Sequence, residues 1–275
     1  MNANRKPDQI AANTITIDAK EIPFQAGQTI MDAALAAGVY IPHLCHRPGL
    51  KPHGSCKLCV IDIHSRAVAT HEADRRVQTR FSVDTDTRSV SACTMPAVAG
   101  QQISNNTDKL NEVRKTITQM LFIEGNHICP SCEKSGNCTL QAMAYHLGML
   151  DGHYPQFFPR RQVDASHPKV MLDRDRCILC ELCVRASREV DGKNVFAIAG
   201  RGTAAHLIVN STSGKLVDSD LDVEDMAAHI CPVGAILIKE HGYEVPIGRR
   251  TFDLHQVGET GLHELNLTKV KHHDE

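Results

Sequence analysis

The first patterned stretch is Thr14-Ile15-Thr16-Ile17-Asp18, where polar and apolar residues alternate as in a half-buried strand. Ala19-Lys20-Glu21 reads as a charged turn, and Ile22-Pro23-Phe24 as the short strand that returns. From Gln28 to Ala37 the period becomes helical. Ile30, Ala33, Ala34 and Ala37 fall on one face, Thr29 and Asp32 stand in capping-box spacing, and Gly38 follows the last turn. Cys59 to Ile63 and Arg88 to Thr94 read as two more strands, separated by an enlarged polar hairpin loop from His64 to Thr87. Loop length is tolerated thermodynamically, so that loop is read as an insertion without chemistry. Asp108 to Glu124 is the clearest helix, with Leu110, Val113, Ile117, Met120 and Leu121 as its apolar stripe and Gly125 at its end. Thr139 to Gly148 predicts a shorter helix, and Pro155, Pro159 and Pro168 mark a linker. Beyond it Val170-Met171-Leu172 reads as an edge-like strand, Val195 to Ala199 and His206 to Asn210 as two further strands, and Asp222 to His229 as a helix. The last 35 residues are polar and have no definite period.

A hairpin crossed by a helix is the opening of a β-grasp, ferredoxin-like module. The expected class is therefore α+β, with a β-grasp domain at 13–104, a helical segment at 105–165, a ferredoxin-like domain at 166–240 and an extension at 241–275. Composition adds little until the cysteines are counted. Hydrophobic content of 42% and charged content of 23% are ordinary for a globular chain. A net charge of -2, with no stretch interleaving basic and aromatic residues, argues against a nucleic-acid partner. No apolar run approaches a bilayer span, and the first residues lack the pattern of a signal peptide, so a cytoplasmic location is expected. In that compartment thiols stay reduced, and clustered cysteines are more often metal-binding than cross-linked.

Eleven cysteines sort into groups of four, three and four. The first, Cys45, Cys56, Cys59 and Cys93, follows the β-grasp opening; a loop rich in Pro and Gly joins its first two members and suits a 2Fe–2S cluster. The last, Cys177, Cys180 and Cys183 with Cys231 before Pro232, puts three thiols on one turn and a fourth far away, the pattern of a 4Fe–4S cube. Structural zinc also uses C-x2-C pairs, but usually two spaced pairs rather than a run of three. The middle group, Cys129, Cys132 and Cys138, lacks a fourth thiol. Three centres with four protein ligands each need twelve, so the twelfth is a non-cysteine, and His127 is the nearest candidate. Histidine ligation there would raise the cluster's potential relative to an all-cysteine site. His43, His46 and His53 lie beside a group already complete and are not needed as ligands. One 2Fe–2S and two 4Fe–4S clusters are thus expected, the middle one between the β-grasp module and the C-terminal cubane. No dinucleotide fingerprint, P-loop or nucleophile elbow accompanies them, so no catalytic residues are assigned and the chain reads as an electron relay. The rival from another class is a zinc-stapled scaffold.

Several motifs carry a family resemblance. They are Gly38-Val39-Tyr40-Ile41-Pro42 ahead of Cys45, Phe122-Ile123-Glu124-Gly125-Asn126-His127 running into Cys129-Pro130-Ser131-Cys132-Glu133-Lys134-Ser135-Gly136, Asp175-Arg176-Cys177, Ile230-Cys231-Pro232-Val233-Gly234, and Pro246-Ile247-Gly248-Arg249-Arg250. The chain resembles the N-terminal part of the large Fe–S subunit of respiratory complex I, and is more similar to the small diaphorase subunits of soluble bidirectional NAD-reducing NiFe hydrogenases. Complex I proteins place the ligand histidine further upstream, at the position of Gly125. The resemblance implies a subunit between a flavin- and NAD-binding diaphorase large subunit and a NiFe hydrogenase small subunit. Its role would be to pass single electrons derived from FMN. The alternative is the same relay in an NAD-linked formate dehydrogenase or a complex I assembly, against which the chain's length weighs.

Overall fold

The computed structural model describes residues 13–64 and 87–263. The enlarged loop expected after His64 therefore lies almost wholly outside the described residues. β1 (Thr14–Ile17) and β2 (Lys20–Pro23) pair antiparallel, with Ile15 opposite Ile22. Between them Asp18 and Ala19 both take positive φ, 47° and 67°, the backbone that matches the twist of a two-residue hairpin. The turn is thus Asp18-Ala19 rather than Ala19-Lys20-Glu21, and Lys20 and Glu21 belong to the strand. α1 (Ile30–Ala36) starts where expected: the Thr29 hydroxyl accepts from the Asp32 N–H at 3.1 Å and the Asp32 carboxylate accepts from the Thr29 N–H at 3.1 Å. Gly38, at φ 70°, follows it. Its buried residues Ile30, Met31, Ala33, Ala34 and Leu35 pack on Ile15, Ile17, Ile22 and Ile61 of the sheet.

β3 (Val60–His64) and β4 (Thr87–Ser91) form the second hairpin. A strand the sequence did not announce, β5 (Gln102–Ser104), slots between the two hairpins, parallel to β1 and antiparallel to β3. The order β2-β1-β5-β3-β4 makes one five-stranded mixed sheet. With only Ile103 buried among its three residues, β5 is too short to show a period.

α2 (Asp108–Glu124) has the expected length but only part of the expected face: Leu110 is buried, and Ile117 and Leu121 pack against the core. Val113 and Met120 are 42% and 44% exposed, while Arg114, Thr118 and Gln119 are buried along with Leu110 and Ile123. The helix is turned so that the Arg114 guanidinium reaches under the β-grasp sheet. It donates to the carbonyls of Leu58 (3.0 Å), Val60 (2.7 Å) and Asn105 (2.7 Å), and to the side chains of Asn105 and Asn111. Burial holds its pKa down to about 10, so it stays a cation at neutral pH. Five hydrogen bonds from one buried cation outweigh the apolar area two exposed side chains would have contributed.

α3 (Thr139–His146) leaves the middle cysteines. In the last region β7 (Val170–Asp173) is the centre of a three-stranded sheet rather than an edge, flanked by β6 (Val163–Asp164) and β10 (Ile236–Ile238). β8 (Phe196–Ala199) and β9 (His206–Val209) form a hairpin. α4 (Leu182–Glu189) packs against α5 (Met226–His229), which is shorter than expected because residues 222–225 form a turn. The polar extension is partly helical, with α6 (Thr251–Leu254) and α7 (Val257–His263). Among the described residues no helix is long and apolar enough to cross a membrane.

Candidate metal centres

The loop between α1 and β3 carries Cys45, Cys56 and Cys59, and the turn after β4 brings Cys93 to them. The Cys59 and Cys93 sulfurs lie 3.3 Å apart, and the Cys56 N–H donates to the Cys45 sulfur at 3.5 Å. S–H groups of Cys56 and Cys93 bonded to Cys45 hold its thiol far below the usual value, and a bond from Cys93 lowers Cys59. The donors Cys56 and Cys93 are raised in turn. All four are buried and none is in a disulfide.

Of the neighbouring histidines, the His43 Nδ1 bonds the Ile41 carbonyl at 2.7 Å and the His53 Nε2 faces Glu181 at 3.1 Å. His46 is buried with neither ring nitrogen hydrogen-bonded, and burial followed by the nearby His43 pushes its pKa to about 4.

In the third group Leu179 and Glu181 take positive φ, 52° and 57°, which winds Cys177, Cys180 and Cys183 onto one tight turn. Backbone N–H groups of Leu179, Leu182 and Val184 point at these three sulfurs. Such inward N–H groups make a nest for an anion. Cys231 joins the other three around one cavity closed by Ile198, Leu207, Val233 and Ala235. Burial pushes Cys177 up to about 11 and raises Cys180 and Cys183 well above the usual thiol value. Thiols this buried give up their protons only to a cation that replaces them.

The middle group lines a cavity of its own: His127, Cys129, Cys132 and Cys138 surround it with Phe122, Leu140, Arg176 and Gly234. Burial pushes Cys138 up to about 12. The His127 Nε2 is buried without a hydrogen-bond partner, and burial, helped by Arg176 and Arg161, lowers its pKa to about 4. The ring is therefore neutral at pH 7 and its free nitrogen is available to a metal, which is what the missing fourth thiol calls for. Gly125 leaves room for this imidazole. A Cβ at 125 would stand 2.6 Å from His127 Nε2 and 2.7 Å from the Asp175 carbonyl, so a side chain there and this imidazole exclude each other. Asp175 holds the loop: its carbonyl accepts from the Asn126 N–H at 2.9 Å and its carboxylate from the Asn126 amide at 3.0 Å.

Among the described residues no group of three or more His, Cys, Asp or Glu is arranged to hold a bare metal ion. A tetrahedral zinc site needs that convergence on one point. Cluster ligands do not, because they are shared among several irons, one ligand to each iron of a 4Fe–4S cube and two to each iron of a 2Fe–2S cluster.

The three sites are not arranged in chain order. The buried Arg185, two residues after Cys183, donates to the carbonyls of Cys45, of Lys51 (2.8 Å) and of Cys180 (3.5 Å). On its other side the third region reaches the middle group, where the Thr139 N–H bonds the Pro232 carbonyl at 2.8 Å and Arg176 Nη1 lies 3.7 Å from the Cys132 sulfur. The C-terminal group is thus the shared neighbour of the other two, which corrects the expectation that the middle group lies between them. Sequence reasoning missed Arg114, Arg176, Arg185 and Gly234. Arg176 stood inside a quoted motif, and Arg114 was a charge at i+4 from Leu110, but neither position says what the side chain touches.

Three family models match in order: a 2Fe-2S iron-sulfur cluster binding domain over residues 11–108, the NADH-ubiquinone oxidoreductase-G iron-sulfur binding region over 114–153, and a 4Fe-4S single cluster domain over 170–238. One 2Fe–2S and two 4Fe–4S clusters are the cofactors these models imply. The chain is 36% identical over 244 residues to the NAD-reducing hydrogenase HoxS subunit gamma of Cupriavidus necator, covering 88% of this chain and 94% of that one. It is 30% identical over 226 residues to the NADPH-Fe(3+) oxidoreductase subunit alpha of Geobacter sulfurreducens, spanning 24% of that protein's length. Among solved structures, a chain of an NAD+-reducing NiFe hydrogenase in the H2-reduced state superposes with a TM-score of 0.78 at 47% identity, covering 89% of this chain and 94% of that one.

Proposed function

The chain belongs to the family of NAD-reducing hydrogenase gamma subunits, and from that premise we propose that it relays single electrons between a flavin-bearing, NAD-binding partner and the small subunit of a NiFe hydrogenase. The observation that carries this is the gathering of the twelve expected ligands into three sites, with the third in contact with both others. When bound, the clusters supply the one-electron steps. The chain's own residues hold them: Cys45, Cys56, Cys59 and Cys93 the 2Fe–2S cluster, His127, Cys129, Cys132 and Cys138 one 4Fe–4S cluster, and Cys177, Cys180, Cys183 and Cys231 the other. Residues 13–104, 105–165 and 166–240 act as the three cluster-bearing units, and the spans of the family models support that division.

Contact between the first and third sites favours a path from the 2Fe–2S cluster to the C-terminal cube and then to the histidine-bearing one. The chain carries no catalytic site of its own, so H2 and NAD are handled by its partners. A reducing cytoplasm suits eleven free thiols. The higher identity to a hydrogenase subunit, 36% against 30% and less for the oxidoreductase and complex I relatives, favours the hydrogenase assembly over the same relay in a complex I or formate dehydrogenase. Purification of the chain with its partners tests the reading. About ten irons per chain and co-purifying H2-dependent NAD reduction are expected; colourless protein with zinc, or a pterin-bearing partner, refutes it.

A further inference from the structure

At the joint between the middle and C-terminal sites one side chain reaches a ligand sulfur. Arg176 precedes Cys177 in the chain, so its backbone belongs to the third site, yet its guanidinium turns to the middle one. Nη1 lies 3.7 Å from the Cys132 sulfur, 2.7 Å from Glu133 Oε2 and 3.5 Å from the Gly234 carbonyl, while Nε donates to Asp173 Oδ2 at 2.9 Å. The side chain lines the cavity of the middle site and is only 19% exposed. Gly234 permits the approach, because a Cβ there would come within 2.8 Å of the Cys132 sulfur and 3.4 Å of Arg176 Nη1.

Cluster potentials follow net charge, hydrogen bonds to the sulfurs and solvent exposure. Reduction adds one negative charge to the cluster. A fixed cation donating to a ligand sulfur stabilises that added charge and raises the potential, and carboxylates beside it oppose the rise. Arg176 is a guanidinium that remains charged at any working pH. Glu133 and Asp173 are the acidic groups that face it from the middle and third regions.

Building on the relay reading above, we propose that Arg176 sets the potential of the His127-bearing cluster relative to the C-terminal cluster, with Glu133 as its opposing charge. The neutral variants of the two residues then shift that potential in opposite directions. A residue that merely held the loops together would not produce this pattern.

The test is redox titration of the complete complex, followed by electron paramagnetic resonance, with iron and sulfide quantified for each variant. In Arg176→Gln the middle cluster's midpoint falls, in Arg176→Lys it falls less, and in Glu133→Gln it rises, while the 2Fe–2S signal stays in place as internal reference. An unmoved midpoint in fully loaded Arg176→Gln overturns the proposal, as do shifts of one sign in Arg176→Gln and Glu133→Gln. If Arg176→Gln does not load, Glu133→Gln decides: a rise upholds the proposal, and no shift or a fall overturns it. A wild-type chain without a middle cluster signal overturns the relay reading and this inference together, whereas a loaded cluster with an unmoved midpoint overturns this inference alone.

Discussion

In the first ligand group Cys45 and Cys59 are each 1% exposed, whereas Cys129 and Cys132 of the middle group are half-buried beside Ile128, which is 67% exposed. Cys59 and Cys93 share a core with the five-stranded sheet and α1, where the Met31 N–H donates to the carbonyl of Ala92 beside Cys93 at 3.1 Å. The middle group has only a short 3-10 turn at Cys129–Ser131, and its surroundings come from elsewhere: Gly234 and Arg176 from the third region, and the Asp175 carboxylate that fixes Asn126. The first site takes all four thiols from the β-grasp module, while the cavity of the middle site is completed by Arg176 and Gly234 of the third region. A substitution in the third region such as Gly234→Ala should therefore damage the middle site and spare the first.

The largest effect is expected from His127→Ala. Iron should fall from about ten to about six per chain, with the 2Fe–2S resonance unchanged; loss of both signals would mean the two sites are not independent. Next comes Arg114→Met, which strips the Leu58, Val60 and Asn105 carbonyls of their buried donor. It should lower stability by about 3 kcal/mol in chemical denaturation and broaden the 2Fe–2S signal first, because Leu58 and Val60 flank Cys59. Gly234→Ala presses a Cβ toward the Cys132 sulfur. A cost of roughly 1–3 kcal/mol is expected, read as partial loss of middle-site iron with the first site untouched. The smallest is Thr29→Ala, which removes the cap of α1 and should cost about 1 kcal/mol, seen as a lower denaturation midpoint with all three signals retained.

Much of the ligand set could be read along the chain because each group is mostly local. Cys177, Cys180 and Cys183 are spaced by one tight turn, and the count of eleven thiols pointed to His127. Gly125 makes sense of that histidine only once its missing Cβ is seen against the imidazole. Val113 and Met120 of α2 were misplaced for a related reason. Periodicity assumes that apolar residues face inward, but Arg114 meets more partners under the sheet than Val113 or Met120 would have done.

Strand alternation, the capped start of α1, the length of α2 and the short cysteine runs 56–59, 129–138 and 177–183 depend on neighbours within a turn or two, so the sequence by itself determined them. Tertiary structure decided the insertion of β5 between two hairpins, the central place of β7 and the position of the C-terminal site between the other two. These depend on which distant backbone edge or carbonyl a segment meets once the chain has closed. No local period records that meeting, because the partners are brought together by burial and hydrogen bonding rather than by spacing.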